Sequence, residues 1–425
     1  MKLKIVAGVV GVVCAMQTST LWATNGYMAH GFGTKSKALA GSGVALPLEG
    51  LSAGTNPALM LDVGNRLDAG LSIFSPRRSY TADDNGSVGF AQIEAGMYKS
   101  DKDYFPIPYF AYNKVLNEYS SIGVAISGNG GMNTEYPTAV YAAFNNPYGQ
   151  ASSPTGVDFA QLFMGIPYAY RVNAQNTVGV MPIVAMQWFK AYGLEPFAPF
   201  SSAPEALTNN GHDYSYGGGF RIGWLGTLNE QWSLGASYQS RLYMTALDDY
   251  KGLFAEQGDF DTPSTFTIGT AFKATPEITL LLDWQRINYS EVATVGNASD
   301  LIFMAGETLL GTDDGLGFGW KDTDVIKFGV QWVYNPQWTL RAGYSHASEV
   351  IPATQALFNI LAPATVRKHV TAGFSYQWDK NMEINMAFMY APEEKVNGTN
   401  PNTGEQTGSI QLHEYEVEMG VSWRF

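Results

Sequence analysis

Apolar and polar residues alternate along much of the chain, and the alternation is clearest at the C-terminal end. There, every second residue is apolar: Tyr415, Val417, Met419, Val421, Trp423 and Phe425. A period of two residues predicts a β-strand with one apolar and one polar face. The same period recurs over residues 232–238, 278–284, 326–334, 338–344, 370–378 and 382–390. The pattern therefore predicts an all-β fold.

Short connections rich in Asn, Pro and Gly alternate along the chain with long irregular stretches. Tight turns are indicated at residues 116–118, 173–176, 228–230, 275–277, 335–337 and 379–381. Each of these turns joins two neighbouring strands into a hairpin. With an opening strand near residues 64–80 and the closing C-terminal strand, the prediction is fourteen antiparallel strands. An even number of strands places both termini at the end that carries the tight turns, which is the periplasmic end of a bacterial outer-membrane barrel.

Composition decides what kind of β-protein this is. The chain is 45% hydrophobic and 13% aromatic but only 15% charged, against about 25% charged residues in typical soluble domains. Beyond the extreme N-terminus, no stretch approaches the roughly 20 apolar residues of a transmembrane helix. A transmembrane β-barrel accounts for both facts, because lipid-facing apolar residues alternate with polar lumenal ones. The net charge of −13 argues against a nucleic-acid partner.

The N-terminus carries the features of a secretory signal peptide. Lys2 and Lys4 precede an apolar run, and a small residue, Ala23, stands at the expected cleavage site. The only cysteine of the chain, Cys14, lies within this segment. The sequence therefore predicts a signal peptide at residues 1–23, a transmembrane barrel at residues 64–425, and a location in the bacterial outer membrane.

Residues 24–63 lie between these two parts and show no strand pattern. The segment is rich in Gly and Ala and contains Lys35, Lys37 and the triplet Asn56-Pro57-Ala58. Fourteen strands enclose a lumen too wide for wall side chains alone to fill. We therefore expect residues 24–63 to form a hatch, or plug, inside the barrel. A disordered periplasmic tail is the alternative interpretation.

Four stretches carry a resemblance to a known family. They are residues 38–45 (Ala-Leu-Ala-Gly-Ser-Gly-Val-Ala), Asn56-Pro57-Ala58, residues 127–136 (Ser-Gly-Asn-Gly-Gly-Met-Asn-Thr-Glu-Tyr) and residues 338–344 (Trp-Thr-Leu-Arg-Ala-Gly-Tyr). Placed behind a signal peptide and along a fourteen-strand pattern, they make the chain similar to the FadL/TodX family of outer-membrane transporters for long-chain fatty acids and other hydrophobic compounds. The resemblance spans essentially the whole mature chain.

The resemblance implies a monomeric barrel plugged by an N-terminal hatch, with an inward kink in the third strand that opens a passage through the wall. Gly128, Gly130 and Gly131 are where we place the kink, because glycine tolerates bulges. The alternative is an ordinary strand end leading into a loop. Asn56, Pro57 and Ala58 are the candidate residues for hatch function and gating.

The implied activity is passive uptake of a hydrophobic small molecule, with outer-membrane lipid and lipopolysaccharide as the surroundings. Apolar stretches at residues 189–200 and 356–361 are candidates for ligand capture at the extracellular loops. From there the ligand enters a lumenal pocket and leaves sideways through the wall. A long-chain fatty acid is the favoured substrate, and an aromatic hydrocarbon remains the alternative.

The candidate ligand-contacting residues lie in the hatch and on the polar face of the strands. Tyr27, Met28 and Phe32 are hatch candidates, with Arg221 and Arg341 as lumenal cations for a carboxylate ligand. Other inward-facing cations are Arg241, Lys327 and Arg424. The competing interpretation is structural: barrel-lining cations pair with lumenal acids, and hatch side chains pack against the wall.

Two other classes of function compete with transport. The five histidines are well separated, and the sequence has neither a Gly-x-Ser-x-Gly nor a His-Glu-x-x-His motif. We therefore predict no catalytic residue, no metal site and no cofactor, although an outer-membrane lipid hydrolase remains an alternative. A general porin is the other alternative, and the hatch argues against it because an open porin conducts ions steadily whereas a plugged barrel does not.

Overall fold

The computed structural model of the chain describes residues 25–84, 91–299, 308–403 and 406–425. The predicted signal peptide lies outside these ranges. Within them, no helix is long and apolar enough to cross a membrane.

The described residues form seventeen strand segments in one antiparallel sheet. In chain order these are β1 (Arg66–Ala82), β2 (Gly96–Lys99), β3 (Phe105–Asn117), β4 (Ser120–Tyr136), β5 (Thr155–Gly165), β6 (Tyr168–Asn173), β7 (Asn176–Tyr192), β8 (Asp213–Thr227), β9 (Trp232–Gln239), β10 (Tyr243–Met244), β11 (Thr265–Lys273), β12 (Ile278–Ile287), β13 (Thr323–Val333), β14 (Trp338–Ala347), β15 (Lys368–Gln377), β16 (Met382–Thr399) and β17 (Thr407–Arg424).

The segments build fourteen barrel strands, because three of the strands are interrupted. β2 and β3 both pair with β1, β5 and β6 both pair with β4 and β7, and β9 and β10 both pair with β8. The last segment returns to the first: β17 pairs with β1 from Arg66–Arg424 to Ala82–Gly408. The sheet is therefore closed, and the predicted fourteen-stranded antiparallel β-barrel is confirmed.

Helices are short and lie outside the sheet. Short helical turns are α1 (Thr34–Lys37), α2 (Met60–Val63), α3 (Ala255–Gly258) and α4 (Ala293–Gly296). Within α3 the backbones of Glu256 and Gln257 are left-handed, with φ of 53° and 52°. Single 3-10 turns lie at Gly50–Gly54, Pro57–Leu59, Ala142–Phe144, Glu195–Phe200, Pro204–Ala206, Asp248–Tyr250, Tyr289–Glu291, Ala353–Gln355 and Phe358–Ile360.

The six predicted tight turns join neighbouring strands at one end of the barrel. Their local chemistry explains why they form. The Asn173 side-chain oxygen accepts hydrogen bonds from the backbone N–H groups of Gln175 and Asn176, both at 3.0 Å. Asn335 accepts in the same way from Gln337 and Trp338, both at 2.9 Å. Such Asx turns are encoded within four residues and so are readable from the sequence.

Burial along β17 inverts the rule for soluble proteins. Val417 and Met419 are exposed on the outer surface, whereas Glu416 and Glu418 between them are buried. The strand presents an apolar face to the outside and a polar face to the lumen, as expected where lipid surrounds the wall.

Candidate functional site: the lumen and the wall beside β4

Residues 25–63 of the described chain, here called the N-terminal segment, are held by buried charges on the polar face of β16 and β17. Lys37 pairs with Glu416 and, at 2.6 Å, with Glu418. Thr34 donates a further hydrogen bond to Glu418 at 2.9 Å. Lys35 pairs with Glu383. These contacts fix α1 against the wall, since a buried charge that loses its partner is costly.

Asn56 joins the N-terminal segment to itself and to the wall. Its side-chain amide donates to the carbonyl oxygens of Val44 (2.8 Å) and of Trp224 in β8 (2.9 Å). Its side-chain oxygen accepts from the N–H of Ala58 at 3.0 Å, and Pro57 begins the 3-10 turn that follows. The predicted triplet is thus a buried junction with β8.

Wall glycines let the backbone of the N-terminal segment approach the strands closely. A Cβ atom at Gly223 would lie 1.9 Å from Asn56 Oδ1, and one at Gly343 would lie 2.3 Å from the carbonyl carbon of Leu39. Other wall glycines that face the segment are Gly179, Gly235, Gly329 and Gly373. A side chain at these positions would collide with the segment, so the wall and the segment are complementary in shape.

Strand β4 is bulged at the predicted glycine cluster. Its register against β5 shifts between Gly128 and Gly130. The N-terminal segment pairs with the bulge: Ala29 N donates to Asn129 O at 2.6 Å, and Gly131 N donates to Tyr27 O at 3.0 Å. A Cβ atom at Gly130 would lie 1.8 Å from Tyr27 O. Glycine is therefore required here by the close approach of two backbones.

The bulge adjoins a gap in the barrel wall. Pairing between β3 and β4 ends at Phe110–Ile126, although β3 begins at Phe105 and β4 continues to Tyr136. Contact resumes nearer the loops, where Asp101 N donates to Glu135 O at 2.8 Å. Among the described residues, no strand pairing joins β3 to β4 between these two contacts. We call this gap the wall window.

Two prolines occupy the β3 rim of the wall window. β3 keeps its pairing with β1 through Pro106 and Pro108. Successive N–H groups of a strand point to alternate sides. Val115 is an odd number of residues from both prolines, and its N–H points to the β1 side, where it donates to the Asn65 side chain at 2.8 Å. The N–H groups that the two prolines lack are therefore those that would face β4. This rim presents fewer unpaired donors to the bilayer, where each would be costly.

A cavity lies between the N-terminal segment and the wall. Met28, Phe32 and Arg221 line it together with Lys327. Arg221 donates to Gly54 O and to Gln239, and its guanidinium lies 5.4 Å from the Phe32 ring centre. Lys327 donates to His30 O at 3.0 Å.

Neither cavity cation has a carboxylate partner within 4.0 Å in the described part of the chain. The two cations therefore differ from Lys35 and Lys37, whose charges are balanced by lumenal acids. Three of the five sequence-derived ligand candidates, Met28, Phe32 and Arg221, meet at this cavity.

The other two candidates lie elsewhere. Arg341 is near the tight-turn end, where it donates to Gln331 (2.8 Å) and Ser375 (2.6 Å). Tyr27 is fully buried at the loop end of the cavity, among the rings of Phe159, Phe260, Tyr289 and Trp320, with ring centres 5.6–6.0 Å away. Its surroundings are aromatic rather than open.

The two stretches expected to capture ligand are mostly packed into an apolar cluster above the lumen. Phe189, Phe197, Phe358 and Ile360 are buried in it. Phe200 is only partly buried at its edge. Apolar loop side chains thus cover one another instead of forming an open patch, which reduces their contact with water.

Arg241, another inward cation, is ion-paired in a loop-end cluster with Asp261 (2.6 Å) and Asp259 (3.1 Å). Burial, and next the neighbouring charge of Asp261, raise the pKa of Asp259 to about 7. Arg424 lies 3.8 Å from Glu383. Both arginines therefore have carboxylate neighbours.

The raised pKa of Asp259 predicts a pH-dependent stability. The folded state favours its neutral carboxyl, so this stabilisation is complete below the ordinary carboxyl pKa and is lost as pH rises through about 7. Replacing Asp259 by Asn should therefore raise the melting temperature more at pH 8 than at pH 5. Asp314→Asn, in an exposed loop, is the control. An equal shift at both pH values would contradict the prediction.

Within the described ranges, no group of three or more His, Cys, Asp or Glu side chains is placed to hold a metal ion. Sequence reasoning missed the rim prolines and the pairing role of Lys37. A Pro-x-Pro in an alternating strand pattern was a readable sign of an unpaired edge. The partners of Lys37, by contrast, lie 379 and 381 residues away in sequence and carry no local signal.

The closed barrel, its apolar outer face and its charged lumenal face define the class of outer-membrane β-barrels. The sequence profile of the family described as "Outer membrane protein transport protein (OMPP1/FadL/TodX)" matches residues 13–422. The chain belongs to this family. It is an outer-membrane transporter of hydrophobic compounds, not an enzyme.

Individual proteins are similar to the chain in sequence or in fold. The chain is 24% identical over 392 residues to the long-chain fatty acid transport protein of Escherichia coli O6:H1, covering 83% of each chain. Its fold resembles the Pseudomonas putida toluene transporter TodX (TM-score 0.68, 20% identity, 95% of this chain and 100% of that one). A FadL homologue of Pseudomonas aeruginosa is similar in fold (TM-score 0.68, 14% identity, 94% and 100%).

Proposed function

We propose that the chain is a monomeric transporter for passive uptake of long-chain fatty acids. The ligand meets the extracellular loops, enters the lumenal cavity lined by Met28, Phe32, Arg221 and Lys327, and leaves sideways through the wall window. The N-terminal segment acts as the hatch: it fills the lumen and pairs with β4 at the window. Asn56, Pro57 and Ala58 anchor the hatch to β8 while the ligand passes.

The observation that carries the choice of ligand is the pair of cavity cations. Arg221 and Lys327 are buried and lack a carboxylate partner in the described ranges. A carboxylate ligand supplies the missing charge, and charge-assisted hydrogen bonds are the strong ones. Phe32 and Met28 offer apolar contact to the start of an acyl chain. The similarity to the Escherichia coli fatty acid transport protein supports the same choice.

Lateral exit follows from the physical properties of the acyl chain. Release into periplasmic water would cost about 0.8 kcal/mol for each methylene that becomes exposed. Hydrogen bonds from Asn56 to the carbonyl oxygens of Val44 and Trp224 hold the N-terminal segment against β8. The wall window opens toward the bilayer, where methylenes stay in an apolar medium.

An aromatic hydrocarbon is the second candidate substrate. Its support is the fold shared with toluene transporters and the Phe32 ring in the cavity. It makes a different prediction, because a neutral ligand gains little from Arg221 or Lys327.

Uptake of labelled oleate and toluene in cells without their own transporter separates the two substrates. We expect Lys327→Met to reduce oleate uptake about tenfold or more, because one charge-assisted contact is lost, and to spare toluene uptake. Lys273→Met, which removes an exposed lysine at the tight-turn end of β11, is the control. Uptake of toluene alone would identify aromatic hydrocarbons, rather than fatty acids, as the substrate class. Uptake of neither by a folded barrel would reject both.

A further inference from the structure

A second, smaller cavity lies directly inside the wall window. It is lined by Arg78 of β1, by Gly131, Met132 and Asn133 in the part of β4 that is not paired with β3, by Leu412 of β17, by Ala362, Pro363 and Ala364, and by Gly26. Most of this lining is apolar. We call it the window pocket.

The polar groups of the window pocket are buried and incompletely bonded. Arg78 is 6% exposed and donates to the carbonyl oxygen of Lys102 at 2.9 Å. Its guanidinium lies 5.5 Å from the ring centre of Phe105 at the window rim. No carboxylate of the described chain comes within 4.0 Å of it. Four of its five N–H groups thus lack a protein partner in the described ranges.

Asn133 adds a second unused group. It is 1% exposed, and among the described residues neither its side-chain nitrogen nor its side-chain oxygen has a hydrogen-bond partner. A buried amide without partners is costly. Asn133 and Arg78 therefore bring unpaired donors to the same, otherwise apolar pocket.

Glu414 lies two residues from Leu412 on the inner face of β17, yet no ion pair joins it to Arg78 among the described residues. It is fully buried, its Oε2 atom lies 3.9 Å from Nε2 of His369, and neither carboxylate oxygen has a hydrogen-bond partner in the described part of the chain. Arg78 is therefore the cation of the window pocket that is free to bind a carboxylate.

We propose that the window pocket binds the carboxylate head of an acyl ligand, through Arg78 and Asn133, as the ligand passes from the lumen to the bilayer. The apolar walls contact the first methylenes, and the remainder of the chain extends through the wall window. Because passage through this window is part of the proposed function, the role of the pocket in transit rests on that proposal. Binding of the carboxylate itself is a separate, measurable property.

The test uses the full-length protein in lipid nanodiscs and a fatty acid with a diazirine within a few carbons of its carboxylate. After illumination, mass spectrometry locates the adducts. We expect adducts at Met132, Asn133 and residues 362–364, reduced about tenfold by Arg78→Gln. The matching fatty alcohol should show no such dependence on Arg78. Arg77→Gln, which removes the neighbouring guanidinium that pairs with Asp103, is the matched control.

A further variant keeps the test decisive if Arg78→Gln does not fold. Asn133→Leu should weaken labelling by the acid but not by the alcohol. Folding of each variant is verified by its heat-modifiable mobility on a gel.

Adducts confined to the cavity of Arg221 and Lys327 would contradict carboxylate binding in the window pocket. Equal losses of labelling for the acid and the alcohol would contradict it as well. Uptake measured in parallel separates this inference from the proposed function. Transport without pocket adducts rejects the pocket alone. Pocket adducts without transport support the binding site and reject the proposed function.

Discussion

Replacing Gly130 and Gly131 by Val will reduce oleate uptake to the background of cells that lack the protein. A Cβ atom at Gly130 would lie 1.8 Å from Tyr27 O, so the larger side chain must separate β4 from the N-terminal segment. The added isopropyl groups then occupy the space beside the wall window. If fatty acids leave through this gap, their exit is blocked while the strands below it remain paired.

Ile122→Val is the matched control, because Ile122 lies on the same strand with its side chain exposed on the outer surface. Both proteins should reach the outer membrane and show the heat-modifiable mobility of a folded barrel. Full oleate uptake by the folded glycine double variant would exclude exit beside Gly130. A matching loss in the Ile122 variant would point to damage to β4 in general.

The sequence was sufficient for the barrel because its signals are local. Alternation along β17 needs only neighbouring residues, and the turn at Asn173 needs only the next three. Interruptions of the strands were not predicted. The break between β5 and β6, for example, depends on how two neighbouring strands accommodate Ile166 and Pro167, and period-2 reasoning ignores that.

The candidate site was predicted only in part, since residue parity gives the face of a side chain but not its depth. Arg221 and Arg341 both face the lumen, yet one lines the cavity and the other lies near a tight turn. Counting residues from the turn at 335–337 would have placed Arg341 close to that end. The partner of a lumenal charge was not predictable at all, because it comes from a distant strand or from the N-terminal segment.

Apolar loop stretches show a related limit. The hydrophobic residues in 189–200 suggest a capture surface, but Phe189 and Phe197 are buried in the apolar cluster of the loops. Sequence identifies such residues as apolar and does not say which of them the folded loops leave uncovered. In the proposed mechanism, ligand entry therefore includes the opening of this cluster.

In the proposed mechanism, in which the N-terminal segment is the hatch, Lys37→Met will make the barrel conduct ions. The substitution leaves Glu416 and Glu418 as buried carboxylates without their cation. Breaking a buried pair from one side costs about 3–5 kcal/mol. When the N-terminal segment leaves the lumen, water reaches both acids and hydrates them. We expect the N-terminal segment to detach from β17, and single-channel recordings in planar bilayers to show steady conductance where the unmodified protein is silent.

A rescue variant decides whether charge is the cause. Adding Glu416→Gln and Glu418→Gln to Lys37→Met removes the uncompensated charges, so the triple variant should be silent again, since replacing both sides of a buried pair is far less costly than breaking one. Lys395→Met is the control, because this lysine is half exposed and its ion pair with Glu393 contributes little. A silent Lys37→Met protein would show that the hatch is held by its backbone contacts with Asn129 and Gly131 and by the wall glycines, and that the buried charges serve another purpose.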